Sequence, residues 1–306
     1  MAVFFMSQPT TKQKWTIASA VLTDAYTDFM LSRQAMNCTP STLLWYRRTA
    51  GVFLVWCEQR NVTKPEEVTA RYVRQYLAEL AARGKQDTTL HAHARAIRTL
   101  LKFWHAEGYI RAPVCFDMPK LAKKRLPVLT AEQLQQILRV CNVRDKALIL
   151  FMVDSGLRRA EVLKLNWGDI DMQSGLVKVR QGKGRKDRSA VIGATTRRAL
   201  LAYRRTLKDV SDNASLFQTQ AGARFVYHGF IQIFRRLKDR TGIYISPHAL
   251  RRTFVILSLR GGMDVLHLQA LGGWSSLDMV YHYAQLEDID LLEGHKAHSP
   301  IDNLLR

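Results

Sequence analysis

Residues 176–192 read LVKVRQGKGRKDRSAVI, and this stretch decides the fold class. Its two ends, residues 176–180 and 188–192, are short, contain several β-branched residues and alternate in part between apolar and polar positions, which is typical of strands. Between them lie Gly182 and Gly184, which favour a tight turn. The stretch therefore predicts a β-hairpin.

The sequence around the hairpin has helical periodicity instead. Apolar residues recur at the spacing of one helix face in residues 69–83, and Thr39-Pro40 predicts a helix start. Thr130 and Gln133 stand at the positions of a capping box at the start of another helix. Because no strand-like alternation of useful length precedes residue 125, we expect a bundle of four or five helices there. The predicted fold is mainly α, with a small antiparallel β-sheet in the second domain.

Length and composition shifts suggest the domain organisation. A chain of 306 residues is long enough to form two domains. We expect a helical N-terminal domain over 1–110, a basic linker over 111–128, a second domain over 129–286 and an acidic tail over 287–306. The linker suits a strap along a phosphate backbone, and a plain solvated linker explains it equally well. The basic residues in question are Lys123, Lys124 and Arg125.

The charge balance indicates the class of partner. The chain has 46 Lys and Arg against 26 Asp and Glu, a net charge of +20. Residues 178–260 alone carry 19 basic and 4 acidic residues. A surplus of this size favours nucleic acid as partner, with an anionic membrane surface as the weaker alternative.

Other features exclude several classes of protein. No apolar run is long enough to span a bilayer, and the apolar start lacks the basic region of a signal peptide. The four cysteines are scattered without metal-ligand or redox spacing, so we expect neither structural zinc nor disulfides. The interpretation is a reduced, cytoplasmic protein.

Two motifs place basic side chains next to glycines. In DSGLRRAE, residues 154–161, Arg158 follows a glycine-containing turn, and Glu161 lies one helical turn further on, where it can brace the guanidinium. At the predicted hairpin tip, Lys183 stands between two glycines that let the backbone approach a phosphate. Taken alone, each is also explained by a surface salt bridge or a solvated turn.

A third motif, SPHALRRT at 246–253, puts His248 and Arg251 three residues apart in the first turn of a helix. They share a helix face, so an imidazole lies beside a guanidinium. A zinc site is not indicated, because no carboxylate or cysteine accompanies the pair. The alternative is a core histidine beside a surface arginine.

A fourth motif, LGGWSSLDMVYHYA at 271–284, contains Trp274, Tyr281 and Tyr283. The two tyrosines fall at the end of a short predicted helix. Aromatic side chains at such positions are frequently part of a core.

The order Arg…Lys…His-x-x-Arg…Trp…Tyr resembles the tyrosine recombinase family, the phage-type integrases, in their Cre- and Xer-like form. The resemblance covers most of residues 126–285, and the helical region ahead of it looks like the family's core-binding domain. Trp274 stands where many members have a second histidine, as in Cre-like members. Tyr283 lies at the family spacing of nine residues after Trp274, so Tyr281 is expected to be a packing residue. The resemblance implies a catalytic set of Arg158, Lys183, His248, Arg251, Trp274 and Tyr283, accompanied by Glu161.

The chemistry of these residue types fits cleavage of a phosphodiester. Two arginines, Arg158 and Arg251, can clamp the non-bridging oxygens as charge builds on them. A tyrosine oxygen that attacks phosphorus gives a covalent phosphotyrosine. Lys183 can protonate the leaving 5′ oxygen, and His248 can take the tyrosine's proton or bind a phosphoryl oxygen. The set requires no metal, and the resemblance implies that there is no cofactor.

The resemblance further implies how the chain works on DNA. It predicts a clamp of two domains around a double-stranded recombination site, and a homo-tetramer on paired sites that exchanges strands through a Holliday junction. The tail over 287–306 would dock on a neighbouring protomer, or else be a frayed terminus. Two other functions stay open: relaxation of DNA by a type IB topoisomerase, and a non-catalytic DNA-binding regulator. Candidate DNA contacts are Arg95, Arg98, Lys102, Lys123, Lys124, Arg125, Arg185, Lys186, Arg235 and Arg236.

Overall fold

A computed structural model gives the fold of the chain. It describes residues 20–122, 128–180, 187–208 and 210–283, and, beyond these, residues 292, 295, 296, 299, 301 and 302. The chain divides into two compact units, Met1–Lys124 and Arg125–Arg306. This division falls inside the predicted linker, 111–128.

The regular secondary structure described in the first unit is helical, as the sequence predicts, and residues 107–122 after the last helix are irregular. Pro40 begins its second helix after Thr39, whose hydroxyl accepts the Thr42 N–H as an N-cap. A short 3-10 helix, Pro65–Glu67, precedes the third helix. The α-helices are α1 (Ala20–Ala35), α2 (Pro40–Glu58), α3 (Ala70–Ala82) and α4 (Asp87–Ala106).

Aromatic side chains fill the core between these helices. The ring of Trp104 on α4 is fully buried, and its indole N–H donates to the Ala25 carbonyl of α1 at 3.2 Å. Phe116, in the predicted linker, is also part of this core, and its carbonyl accepts a hydrogen bond from Arg98 at 2.7 Å. The described start of the linker therefore packs on the first unit, whereas we expected either a phosphate strap or a solvated segment.

The second unit combines helices with the expected hairpin. The strand Leu176–Val179 (β1) pairs antiparallel with the strand Arg188–Val191 (β2), with Val179 opposite Arg188, and each strand is about one residue shorter than predicted. A 3-10 helix lies at Trp167–Asp169. The elements are α5 (Ala131–Val140), α6 (Val143–Ser155), α7 (Arg159–Val162), β1 (Leu176–Val179), β2 (Arg188–Val191), α8 (Ala194–Arg204), α9 (Tyr227–Thr241), α10 (Pro247–Arg260), α11 (Val265–Gly272) and α12 (Leu277–Tyr283).

Side-chain hydrogen bonds fix the start of this unit. The predicted capping box is present: the Thr130 hydroxyl accepts the Gln133 backbone N–H at 3.2 Å, and the side-chain Oε1 of Gln133 accepts the Thr130 N–H at 3.1 Å. One residue earlier, the buried Leu129 N–H donates to the hydroxyl of Thr253 on α10 at 3.0 Å. The beginning of the unit is thereby attached to the helix that carries the His-x-x-Arg motif.

Two apolar clusters position the motifs. The larger one lies between α5, α6, α8, α9 and the hairpin. The smaller one joins α10, α11 and α12 through buried side chains, because each helix contributes to it: Phe254, Val255, Leu268, Trp274 and Val280. It holds the last three helices together around the segment that follows α11.

No helix in the described part of the chain is long and apolar enough to cross a membrane. The cytoplasmic location stays a prediction.

Candidate active site

Arg158 and Glu161 meet as the sequence predicts. Arg158 is the N-cap residue of α7, and its backbone N–H donates to Glu161 Oε2 at 2.7 Å. Its guanidinium donates to Glu161 Oε1 at 3.1 Å and to the Gly273 carbonyl at 3.1 Å. The Arg158 side chain remains 25% exposed, whereas that of Glu161 is 6% exposed. The bracing carboxylate is therefore buried, while part of the Arg158 side chain stays open to solvent.

Arg251 is buried, with 2% of its surface exposed. A buried guanidinium needs partners that replace its hydration. Two helix ends supply them: Arg251 donates to the carbonyls of Gly156, after α6, and of Gly272, at the end of α11. The last carbonyls of a helix lack partners within the helix and carry partial negative charge. The ring of Trp274 lies 4.3 Å from the guanidinium carbon and completes the enclosure.

A third arginine, Arg188, lies in the same group. Its guanidinium donates to Glu161 Oε2 at 2.8 Å and to the Leu271 carbonyl at 2.8 Å. Three consecutive carbonyls, those of residues 271–273, thus accept hydrogen bonds from three arginines on three different elements. We call this group of Arg158, Glu161, Arg188 and Arg251 with residues 271–273 the arginine cluster.

Glycines make this close approach possible. A Cβ on Gly272 would lie 1.8 Å from the ring of Trp274, and a Cβ on Gly273 would lie 2.3 Å from Arg188 Nε. Gly273 also has φ of +63°, a conformation that side chains disfavour. The pair of glycines before Trp274 is therefore required by the packing.

His248 lies on the first turn of α10, as predicted, and the residue is only partly covered by its neighbours. Burial of part of the imidazole, together with the positive charges of Arg159, Arg251 and Arg158, lowers its pKa from the ordinary value. The neutral form of the imidazole, which can accept a proton, is favoured as a result.

The tyrosines lie on α12, which ends at Tyr283 and packs against α10 and α11. The Tyr283 side chain lies outside the described residues. Tyr281 is 60% exposed, whereas Val280 beside it is fully buried. The expectation that Tyr281 is a packing residue is therefore wrong. In a helix of seven residues a change of one position moves a side chain from core to solvent, and the sequence did not indicate which positions face inward.

The candidate DNA contacts differ in their surroundings. Arg95 is exposed and lies over the Trp45 ring at 4.9 Å, and Lys102 and Arg235 are exposed as well. Arg98 is engaged with Phe116, and Arg236 forms an ion pair with the buried Asp145. The remaining candidate DNA contacts lie outside the described residues: Lys123, Lys124, Arg125, Arg185 and Lys186. The predicted catalytic Lys183 lies outside them as well.

Arg188 is a member of the site that was not predicted from the sequence. It stands at the end of a run of basic residues that suggested only a charged turn. Its position as the first residue of the returning strand was the available signal, since a strand end is held in a fixed direction, unlike a turn.

Metal ligands do not cluster in the described part of the chain. There, no three His, Cys, Asp or Glu side chains come close enough to hold a metal ion.

Comparison with known proteins identifies the family. The model of the phage integrase family matches residues 127–289, and the model of the phage integrase N-terminal SAM-like domain matches residues 24–108. Tyrosine recombinase XerA of Thermococcus onnurineus is 29% identical over 247 residues, which is 78% of this chain and 85% of that protein. Tyrosine recombinase XerC of Thermodesulfovibrio yellowstonii is 30% identical over 255 residues, 78% of this chain and 84% of that one.

The fold comparison agrees. The crystal structure of a lambda integrase dimer bound to a COC′ core site aligns with a TM-score of 0.71 at 17% identity, covering 87% of this chain and 97% of that chain. The first family model alone matches more than half of the chain. The chain belongs to the phage integrase family and is a tyrosine-type site-specific recombinase.

Proposed function

We propose that the enzyme cuts and rejoins the strands of a double-stranded DNA recombination site through a 3′-phosphotyrosyl bond on Tyr283. The observation that carries this proposal is the arginine cluster. Two guanidiniums, those of Arg158 and Arg251, converge on the carbonyls of residues 272 and 273, and the helix that begins four residues later ends at Tyr283.

The arginines supply the electrostatic part of the reaction. Attack on a phosphodiester places additional negative charge on the non-bridging oxygens, and fixed guanidiniums stabilise that charge at little cost in reorganisation. A guanidinium has five N–H donors, so the bonds of Arg158 to Glu161 and Gly273 leave donors for an anion on its exposed edge. Trp274 contributes packing that holds Arg251 in place.

Proton transfers complete the step. The Tyr283 oxygen attacks phosphorus while its proton passes to the neutral imidazole of His248, whose lowered pKa favours this role. The bond from phosphorus to the 5′ oxygen breaks, and that oxygen takes a proton from Lys183. The phosphotyrosine conserves the energy of the broken phosphodiester bond. Religation can therefore proceed by reversing both proton transfers.

Binding to DNA is proposed to use both units. The net charge of +20 and the exposed Arg95, Lys102 and Arg235 support contacts with phosphates and base edges. Arg98 and Arg236 already have protein partners, so we assign them first to the structure of their own units. The lambda integrase dimer, whose fold is similar, is bound to a core site, and this supports a recombination site as the substrate here.

The remaining steps follow from strand exchange between two sites. We propose four protomers on two sites, paired exchanges through a Holliday junction, and a clamp of the domains 1–110 and 129–286 joined by the linker 111–128. The tail over 287–306 would dock on a neighbouring protomer.

A covalent-adduct assay tests the nucleophile. The protein is incubated in EDTA with supercoiled plasmid carrying its native flanking DNA and quenched with SDS. Wild type should give a DNA-linked species and Tyr283→Phe none, with DNA binding retained. Tyr281→Phe is the matched control, because Tyr281 is exposed on the same helix, and it should form the adduct. An adduct in Tyr283→Phe that disappears in Tyr281→Phe would reverse the assignment.

A further inference from the structure

Arg188 stands out among the polar residues that the catalytic scheme does not use. It begins β2, its side chain is 14% exposed, and its guanidinium reaches two other elements. One of these is Glu161 on α7, and the other is the Leu271 carbonyl near the end of α11. Placing a guanidinium in such surroundings costs hydration, so its two hydrogen bonds must offset that cost.

The charges around Glu161 show what Arg188 does there. Glu161 is 6% exposed and pairs through Oε1 with Arg158 and through Oε2 with Arg188. One carboxylate between two guanidiniums leaves a net charge of +1 in this group. Without Arg188, the carboxylate would cancel the charge of Arg158, and the positive field toward a bound phosphate would fall. The loss is large where water is largely excluded, because the effective dielectric constant is low.

The second contact of Arg188 acts on geometry. By binding Leu271, it fixes the backbone two residues before Gly273, whose carbonyl accepts a hydrogen bond from Arg158. Arg158 is therefore held at two points that both depend on Arg188: its carboxylate partner and its carbonyl partner. A misplacement of about 1 Å in such a group costs roughly a hundredfold in rate.

We propose that Arg188 is a positioning residue for the cleavage step. It offsets the negative charge of Glu161, so that the group presents a net positive charge to the phosphate, and it orients Arg158 by fixing the 271–273 backbone. This inference rests on the proposed role of Arg158 in phosphodiester cleavage. It assigns Arg188 no contact with DNA, so DNA affinity should depend on it only weakly.

The test measures single-turnover formation of the covalent adduct at saturating DNA, alongside the Kd for DNA. Arg188→Met keeps the side-chain stem and should slow adduct formation about a hundredfold, with the Kd unchanged within about threefold. Arg188→Lys keeps the charge but not both hydrogen bonds, and should recover at least tenfold of that loss. It is also the variant to use if the methionine variant does not fold.

A matched control separates positioning from stability. Arg144 is 18% exposed and pairs with the buried Asp145, which keeps Arg236 as a second partner, just as Glu161 keeps Arg158. Arg144→Met should lower the Tm by an amount similar to Arg188→Met, yet leave adduct formation at the wild-type rate. If both variants slow adduct formation equally, the effect of Arg188 is one of stability and the proposal is overturned.

A double-mutant cycle tests the route through Glu161. In the Glu161→Gln background there is no carboxylate charge to neutralise, and Arg188→Met removes only the contact with the Leu271 carbonyl. The substitution should therefore slow adduct formation less than tenfold in that background. A full hundredfold loss in both backgrounds would contradict the proposal, as would a wild-type rate in Arg188→Met. A wild-type protein that forms no adduct under any condition would instead refute the proposed function.

Discussion

At the scale of single residues, Gly272 is the most restricted position of the site. Its carbonyl binds the buried Arg251, and a Cβ would overlap the ring of Trp274 at 1.8 Å. Trp274 in turn encloses Arg251, so that the glycine, the indole and the guanidinium fit only together. The sequence motif Gly-Gly-Trp is thus required by the packing around Arg251, in addition to being part of the family resemblance.

Gly272→Ala should destabilise the second unit by roughly 2–3 kcal/mol, because a methyl group forced into a packed site displaces a rigid ring. Gly229→Ala is the matched control. Gly229 is also helical, and its Cβ would make an ordinary contact with Phe225 at 3.4 Å, so this change should be neutral or stabilise by up to about 1 kcal/mol. Urea unfolding measures both, and equal midpoints for the two variants would refute the argument.

His248 gives a prediction on pH. Its pKa is lowered in the folded protein by burial and by neighbouring arginines, so the unfolded chain takes up the proton first as the pH falls. The contribution to stability is complete above the unfolded pKa of about 6.5 and is lost as the pH falls through the lower, folded pKa. His93 in the first unit changes in the same direction, because burial lowers its pKa as well.

The free energy of unfolding should therefore decrease between pH 7.5 and pH 5.5, and the decrease should be smaller in His248→Asn. Urea titrations of both proteins at the two pH values measure it. An identical pH dependence in the variant would mean that His248 does not titrate differently in the folded and unfolded states.

At the scale of elements, local signals predicted most of the secondary structure. Thr130 and Gln133 predicted the start of α5, and the two glycines between β-branched runs predicted the hairpin, because caps and turns depend on a few neighbouring residues. Such local signals could not predict the contacts of the arginine cluster. It joins residues up to 115 positions apart, and the partners of its arginines are backbone carbonyls, which no side-chain pattern reveals.

The hydrogen bond from the Leu129 N–H to Thr253 connects the segment before α5 with α10, and its contribution to stability can be measured. Thr253 is fully buried, and its hydroxyl accepts the Leu129 N–H and donates to the Ala249 carbonyl. Thr253→Val keeps the shape and leaves the buried N–H without its acceptor, which should cost about 1–3 kcal/mol. Thr206 is an exposed residue whose hydroxyl donates to the Tyr203 backbone carbonyl, so Thr206→Val should cost less. Thermal melting compares them, and equal losses would show that the Leu129 contact contributes nothing of its own.

At the scale of the whole molecule, the net charge of +20 sets how binding responds to salt. Affinity for duplex DNA should fall steeply as salt rises, because each neutralised phosphate releases a counterion. Lys102→Gln should reduce the slope of log K against log salt by about 1 if Lys102 contacts a phosphate. Arg83→Gln is the control, since Arg83 already faces Glu79 at 3.6 Å and should change the slope less. Fluorescence anisotropy at several salt concentrations measures the slopes, and an unchanged slope for Lys102→Gln would exclude that contact.

The three carbonyls of residues 271–273 have one more consequence, which concerns cooperativity. Each accepts from a different arginine, so moving this short segment would break three charge-assisted hydrogen bonds at once rather than one after another. Intermediate positions of the segment retain the cost of buried charge without the compensating bonds. The segment and the three guanidiniums are therefore held together as one unit, and this unit anchors the chain four residues before α12 begins at Leu277.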